Sequence, residues 1–373
     1  MEPLKRTISQ PFPSCGQPRL FPGRKKQLLL LLLFLSAALP LKAQQTLRGY
    51  ITDSLTGKPL AGAVAYFNAT SIGTPANEAG YFELLLPEGL VSPLVISFLG
   101  YEKRVLQEPF PKHALQIRLK PTVNHLNSVV LEGKVPRRQK QFDHRLGMEQ
   151  RNWLLLFEKL FLGMGRATEK TSIRNREVLE FSYDRQSTTV RVTAREPVII
   201  ENDHLQYRIS YNLDSFQLQL DLREGHLIPV AYSVAGTSFF IDRLGLQRTG
   251  KRRLKKIRKR RREAYKGSSF HFMKALAEGE LGKSGFRVYA LDSLNHNQQE
   301  VHFPRVAEEG FTQVTPPPQF YVSYADQRSQ IFAQQESFRI DEFGNIHPWN
   351  ALKYEGYMAG MGMSLALPLN FEL

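Results

Sequence analysis

The sequence predicts a mainly β protein, with an N-terminal β-sandwich followed by an antiparallel β-rich domain that carries a few helices. Three observations lead there. From Leu47 to Tyr101, short apolar-alternating runs are broken at close intervals by Gly, Pro, Asn and Asp, the spacing of a small sandwich. From Glu177 to Phe240 a second series of strand-period runs follows, again with short turns. Only two stretches change to the helical period, one after Asn152 and one across Lys251–Leu276. With 373 residues and 42% apolar content, the chain is long enough to bury a core in each of two domains.

Residues 1–43 read as a leader. Arg24, Lys25 and Lys26 precede an apolar run, Leu28 to Leu39, and Ala43 offers a small residue before a cut at Gln44. A membrane span needs about 20 apolar residues, so this run favours a cleaved signal peptide. An uncleaved anchor is the alternative, because Leu41 is large for its place before the cut. Export to the periplasm or the outer membrane is therefore expected. The one cysteine, Cys15, would leave with the leader. The mature chain is then expected to lack disulfides, thiolate metal sites and cysteine nucleophiles.

Residues 46–121 form the sandwich. Leu47, Gly49 and Ile51 alternate with Arg48, Tyr50 and Thr52 at the strand period. Thr56-Gly57-Lys58-Pro59 makes a turn, Ala63 to Phe67 resumes the strand pattern, and Asn77-Glu78-Ala79-Gly80 turns into Tyr81 to Leu84. Leu94 to Phe98 is a continuous apolar run suited to a central strand, and Leu115 to Leu119 alternates again before Pro121. Several fixed spacings stand out: Gly49-x-Ile51-x-Asp53, Thr56-Gly57-x-Pro59-Leu60-x-Gly62-Ala63, Gly73-Thr74, Gly80-x-Phe82 and Ser97-x-x-Gly100-Tyr101. On these residues the stretch resembles the carboxypeptidase-regulatory-like domain, a transthyretin-like sandwich common in exported proteins of Gram-negative bacteria. Asn77 departs from the family's usual Asp but serves the same turn. The resemblance implies a non-catalytic module that packs beside, or presents, another domain.

Residues 122–145 read as a linker, charged and broken by Pro136. Within them, Leu126 to Gly133 resembles the segment that joins such modules to the plug of TonB-dependent outer-membrane receptors. The chain is too short for the barrel of such a receptor.

Residues 146–373 are expected to form the β-rich domain. Asn152 offers a cap for a helix with Trp153, Leu154, Phe157, Leu160 and Phe161 on one side, stopped by Gly163. That helix either faces the core or lies on a membrane. Glu177–Tyr183, Thr188–Ala194, Val198–Glu201, Leu205–Leu213, Phe216–Leu222 and Ile228–Phe240 read as an antiparallel meander. Two helices follow, the second capped by Ser268, and strands return at Phe286–Leu291, Tyr321–Tyr324, Ile331–Ile340 and Met358–Leu367. Phe161-Leu162-Gly163, Glu201-Asn202-x-x-Leu205-x-Tyr207, Ala264-Tyr265-x-Gly267-Ser268-x-x-His271-Phe272, Gly285-Phe286 and Asp341-x-x-Gly344-Asn345 resemble the second half of a group of exported bacterial proteins with the same sandwich module. That similarity implies architecture and no activity.

The commonest hydrolase signatures are missing. None of the nine histidines has Glu three residues on, as zinc carboxypeptidases require, and neither His-Glu-x-x-His nor Gly-x-Ser-x-Gly occurs. Gly282-Lys283-Ser284 imitates a phosphate loop, but Ala277 stands at the required first glycine. Two polar clusters remain. Glu201, Asn202, Asp203 and His204 either make a hairpin turn or hold a cation or sugar hydroxyl. His271, between Phe270 and Phe272, is either a catalytic base or a histidine at the edge of a core.

The net charge of +15 is a local device. Ten cations crowd into one run: Lys251, Arg252, Arg253, Lys255, Lys256, Arg258, Lys259, Arg260, Arg261 and Arg262. Without that run and the leader, the chain would be close to neutral. An exported protein does not meet nucleic acid, so the expected partners are anionic lipid, lipopolysaccharide phosphates or acidic glycans. A merely solvated helix is the alternative. Together these features point to a non-catalytic cell-envelope protein that binds an envelope protein or glycan, with no cofactor. A hydrolase of unrecognised type in residues 146–373, or an accessory component of an outer-membrane uptake or secretion system, are the other expectations.

Overall fold

Alternation along the first strand decides how the sandwich closes. In β1 (Gln45–Asp53), Leu47, Ile51 and Asp53 point inward while Arg48 and Tyr50 face water. β2 (Val64–Phe67), β3 (Gly73–Pro75), β4 (Tyr81–Leu86), β5 (Leu94–Ser97), β6 (Arg104–Leu106) and β7 (Leu115–Leu119) complete two sheets, ordered β4-β1-β7 and β3-β2-β5-β6. β1 and β7 run parallel, with Ile51 beside Ile117. Between the sheets, Leu47, Ile51, Phe67, Phe82, Leu94, Ile96, Ile117 and Leu119 make one buried core. Gly49 is required by close approach: a Cβ there would lie 2.8 Å from the Leu115 carbonyl oxygen. The structure is a computed structural model that describes residues 45–107, 110–111, 113–122, 150–184, 186–223, 226–245, 250–291, 298–308 and 310–372. The leader, Cys15, the linker beyond Thr122 and the segment Leu126 to Gly133 lie outside the described residues.

The region expected to be one β-rich domain holds two cores. The first is built from α1 (Gln150–Leu162), β8 (Thr171–Ile173), β9 (Leu179–Asp184), β10 (Thr189–Ala194), β11 (Val198–Asn202), β12 (Tyr207–Arg223) and β13 (His226–Asp242). It is not a simple meander. β12 and β13 form one long hairpin, and β11 and β10 pair with successive halves of β12's other edge. The expected break between Leu213 and Phe216 is a bulge within β12. α1 begins at Gln150, so Asn152 lies inside its first turn and not at its cap. Trp153, Phe157 and Phe161 are buried with the sheet residues Val192, Tyr211 and Phe216, which identifies α1 as a core-facing helix.

The second core lies between α3 (Ser269–Glu278) and two antiparallel sheets, after the basic helix α2 (Lys251–Tyr265). Its strands are β14 (Phe286–Leu291), β15 (Gln298–Glu300), β16 (Arg305–Glu308), β17 (Phe311–Val314), β18 (Gln319–Tyr324), β19 (Gln327–Ala333), β20 (Phe338–Asp341), β21 (Ile346–His347) and β22 (Leu352–Gly356). The sheets run β15-β14-β18-β19-β22 and β16-β17-β20-β21. Two expectations need correction. Ile331–Ile340 divides between two sheets, and Met358–Leu367 is not a strand but the short helix α4 (Tyr357–Gly360) and an irregular tail.

That tail joins the parts of the unit that spans residues 45–373. The Met363 and Ser364 N–H groups donate to the carbonyls of Phe161 and Leu162 at the end of α1. Further on, Leu369 N–H donates to Ala69 O and Ser71 N–H to Asn370 Oδ1, both in the sandwich.

Candidate functional site

α2 is helical because Leu254, Ile257, Ala264 and Tyr265 recur at three- and four-residue spacing and form the face turned to the protein. Lys251, Arg252, Arg253, Lys255, Lys256, Arg258, Lys259 and Arg262 are exposed, and Arg260 is half-buried. Lys259 has Glu263 at 3.8 Å; the other exposed cations have no anionic partner among the described residues. Lys251/Lys255, Arg252/Lys256, Lys255/Lys259 and Arg258/Arg262 each place like charges four residues apart, which costs about 0.2–0.5 kcal/mol per pair. Something must hold this self-repelling helix in place.

Arg261 does so, and it must be removed from the set of candidate polyanion ligands. Only 6% exposed, its guanidinium donates to both oxygens of Asp242 at 2.7 and 2.9 Å. It also donates to the carbonyls of Leu205 at 2.9 Å and Gln206 at 3.3 Å, and stacks 3.9 Å from the centre of the Tyr207 ring. Arginine's planar fork suits such a bidentate, stacked position where lysine would not. Burial pushes the Asp242 carboxyl up, but hydrogen bonds from Arg261 and Leu244 N–H and the Arg261 charge outweigh it, leaving the carboxyl below its ordinary value.

The structure thus brings the basic run onto the loop that carries the first polar cluster. Arg260 donates to His204 O at 3.3 Å, and Arg253 to Gln206 Oε1 at 3.2 Å. Within the cluster, Asn202 is fully buried: its amide donates to Ser364 O and accepts from Leu205 N–H, both at 2.8 Å. Glu201 is paired with Arg208 at 2.6 Å and with Arg243 at 2.9 Å, and Asp203 with Arg243 at 2.7 Å. Burial, then the charges of Arg260 and Lys170, depress His204, against a weaker opposing effect of Glu263. Glu201 and Asn202 thus end β11 and Asp203 and His204 open the turn into β12, with Glu201 and Asp203 in charge pairs. No group of three or more His, Cys, Asp or Glu residues fit for a metal occurs among the described residues.

His271 sits elsewhere, on α3. Its Nδ1 accepts from Gly267 N–H at 3.1 Å, and its ring lies between those of Tyr265, Phe286 and Tyr324. Burial, with Lys266 nearby, pushes its pKa down, so it is neutral at pH 7. Ser268 caps α3 as expected, its Oγ accepting from His271 N–H at 3.1 Å. Asp341, buried, accepts from the N–H groups of Phe343, Asn345 and Val91, which makes it a turn residue that also holds the sandwich. Sequence reasoning missed Asp242 and Tyr207; the signal for Arg261 was its place between Ile257 and Tyr265 on the apolar stripe.

Residues 47–131 match the family model of the CarboxypepD_reg-like domain. The sandwich is a carboxypeptidase-regulatory-like domain. No curated protein matches the chain. Beside its bonds to Asp341 and the tail, the regulatory-like domain packs on the β12–β13 hairpin. Tyr66 Oη accepts from Asn212 Nδ2 at 2.7 Å and lies 3.1 Å from Thr237 Oγ1, buried so that its pKa is pushed up to about 12. Ala69 N–H donates to Ser238 O, Ser238 N–H to Asn68 Oδ1 and Phe240 N–H to Thr70 O, which covers this part of the β13 edge.

Proposed function

We propose that the chain is an exported, non-catalytic cell-envelope protein that binds phosphate-bearing headgroups of an anionic lipid surface through the outer face of α2. One observation carries this: Arg261 is the buried anchor of α2, while eight other cations are exposed and only Lys259 among them has an anionic partner among the described residues. From Lys251 to Arg262 the charges extend along about 16 Å of helix. Every exposed side chain on α2 is charged, so contact is electrostatic, without insertion into the acyl layer. Binding would also relieve the repulsion among the cations. A non-catalytic role is favoured because the two acids of the cluster, Glu201 and Asp203, are held in charge pairs and the His271 ring is enclosed.

Vesicle co-sedimentation across a salt series tests this. Binding to vesicles with phosphatidylglycerol should weaken steeply between low and physiological salt and vanish when Lys251, Lys255, Arg258, Lys259 and Arg262 are all changed to Gln. Binding indifferent to salt, or to those substitutions, overturns it. Capture by an acidic polysaccharide but not by vesicles would assign the face to a glycan instead.

A further inference from the structure

On a different face, a groove of about 350 Å³ opens between β13 and β22, with the end of α1 and α4 contributing to its lining. Its size is at the small end of the range of about 300–1,000 Å³ for small-molecule sites. Leu160, Met164, Val230, Tyr232 and Tyr354 line it. Met164 is 63% exposed and Val230 48%, so two large apolar side chains face water at one place. Covering their exposed apolar surface would favour a ligand with an apolar body.

The flanking strands argue about what that ligand is. Beside the groove, the 229–232 stretch of β13 pairs with β12 and β22 pairs with β19, and among the described residues no strand pairs with their other edges there, where a peptide strand could add. On β13 that addition is obstructed. Pro229 has no N–H to donate, and Val230 is the extra residue of a bulge, since Pro229 pairs with Leu220 and Ala231 with Gln219. The apolar lining remains while the ladder is interrupted, which suits a flexible hydrocarbon better than a peptide backbone. At the rim stand Lys159 and Lys353. Lys353 is held by Glu355 at 3.0 Å, whereas Lys159 has no anionic partner among the described residues, so the mouth carries one uncompensated positive charge. We infer that the groove binds a free single-chain anionic amphiphile, a fatty acid, with its tail along Leu160, Met164, Val230 and Tyr232 and its carboxylate at Lys159. This does not depend on α2.

Titration calorimetry of the full chain with dodecanoate, kept below its micellar concentration, tests the inference. Saturable binding of one equivalent is expected. Met164→Asp or Val230→Asp should weaken it by about tenfold or more, and both sites are exposed enough for the fold to persist, as thermal unfolding would verify. Lys159→Gln should weaken dodecanoate and leave dodecanol unchanged. The α2 glutamine variant should bind dodecanoate as the parent does, which separates this site from the lipid-surface reading. Binding only above the micellar concentration, indifference to Met164→Asp, or loss in the α2 variant alone would each overturn the assignment. So would saturable capture of an extended peptide in the groove with none of dodecanoate.

Discussion

Replacing Arg261 by Ala should be the most damaging single change in the basic run. The substitution removes two charged hydrogen bonds to Asp242, donors to two carbonyls and a stacking contact on Tyr207. Breaking a fully buried ion pair from one side costs about 3–5 kcal/mol. Here Asp242 keeps 41% of its side chain exposed and can rehydrate, which lowers the charge part of that cost. The Leu205 and Gln206 carbonyls each lose about 1 kcal/mol, and the Tyr207 stack about as much. The net expectation is about 3 kcal/mol. Arg258→Ala, on the exposed face of the same helix, should stay within about 0.5 kcal/mol and gain from the relief of like-charge repulsion. Urea unfolding of the two variants beside the parent gives the comparison. Arg261→Lys should fall between them, since it keeps the charge but loses the fork. If Arg261→Ala costs no more than Arg258→Ala, the anchoring role is wrong.

Two further outcomes follow from the same contacts. The Asp242 carboxyl is held below its ordinary 3.8, so its contribution to stability is complete above that pH and is lost as pH falls through the lower folded value. Unfolding midpoints measured from pH 5 to pH 2 should therefore fall more steeply for the parent than for Arg261→Ala, and parallel curves would contradict the pairing. Tyr66→Phe removes the hydroxyl shared by Asn212 and Thr237 and leaves a half-buried amide and a buried threonine hydroxyl short of a partner. A loss of about 1–2 kcal/mol is expected, read as a lowered thermal midpoint; an unchanged midpoint would mean that water replaces the hydroxyl.

The sandwich was legible because its turns are written in residue types with one use. Gly80 has φ +72°, and Asn77 accepts from the N–H groups of Ala79 and Tyr81, so the Asn-Glu-Ala-Gly stretch folds locally whatever surrounds it. The β12–β13 hairpin was legible in part, since the alternation either side of Asp214 is continuous in space but shifted by a bulge that no local rule demands. The closing tail misled for a local reason. Met358–Leu367 has apolar residues in number, but the chain turns at Gly362, whose φ is +56°, to reach the end of α1. In the candidate site, the cationic surface was read directly from charge. The buried arginine left only its place on the Ile257–Tyr265 stripe as a signal, and its partner Asp242, nineteen residues back, left none. The meeting of the basic run with the Glu201–His204 turn is tertiary and leaves no trace in spacing.

The placement of the regulatory-like domain explains how such a charged helix can be kept rigid. Arg261 anchors α2 to Asp242, the last residue of β13, so the helix is only as fixed as that strand. β13 is an edge strand, and an edge strand frays unless its outer groups are satisfied. The sandwich satisfies them next to the anchor: Asn68, Ala69 and Thr70 bond to Ser238 and Phe240, and Phe239 packs on Tyr66 with ring centres 5.1 Å apart. Asn202, whose turn supplies the Leu205 and Gln206 carbonyls to Arg261, is held in turn by Ser364 of the tail. Both attachment points of α2 are thus braced from outside the sheet that carries them. A domain that braces a strand in this way needs only well-placed backbone groups, and on the proposed reading the sandwich serves by holding the strand that anchors the cationic face of α2.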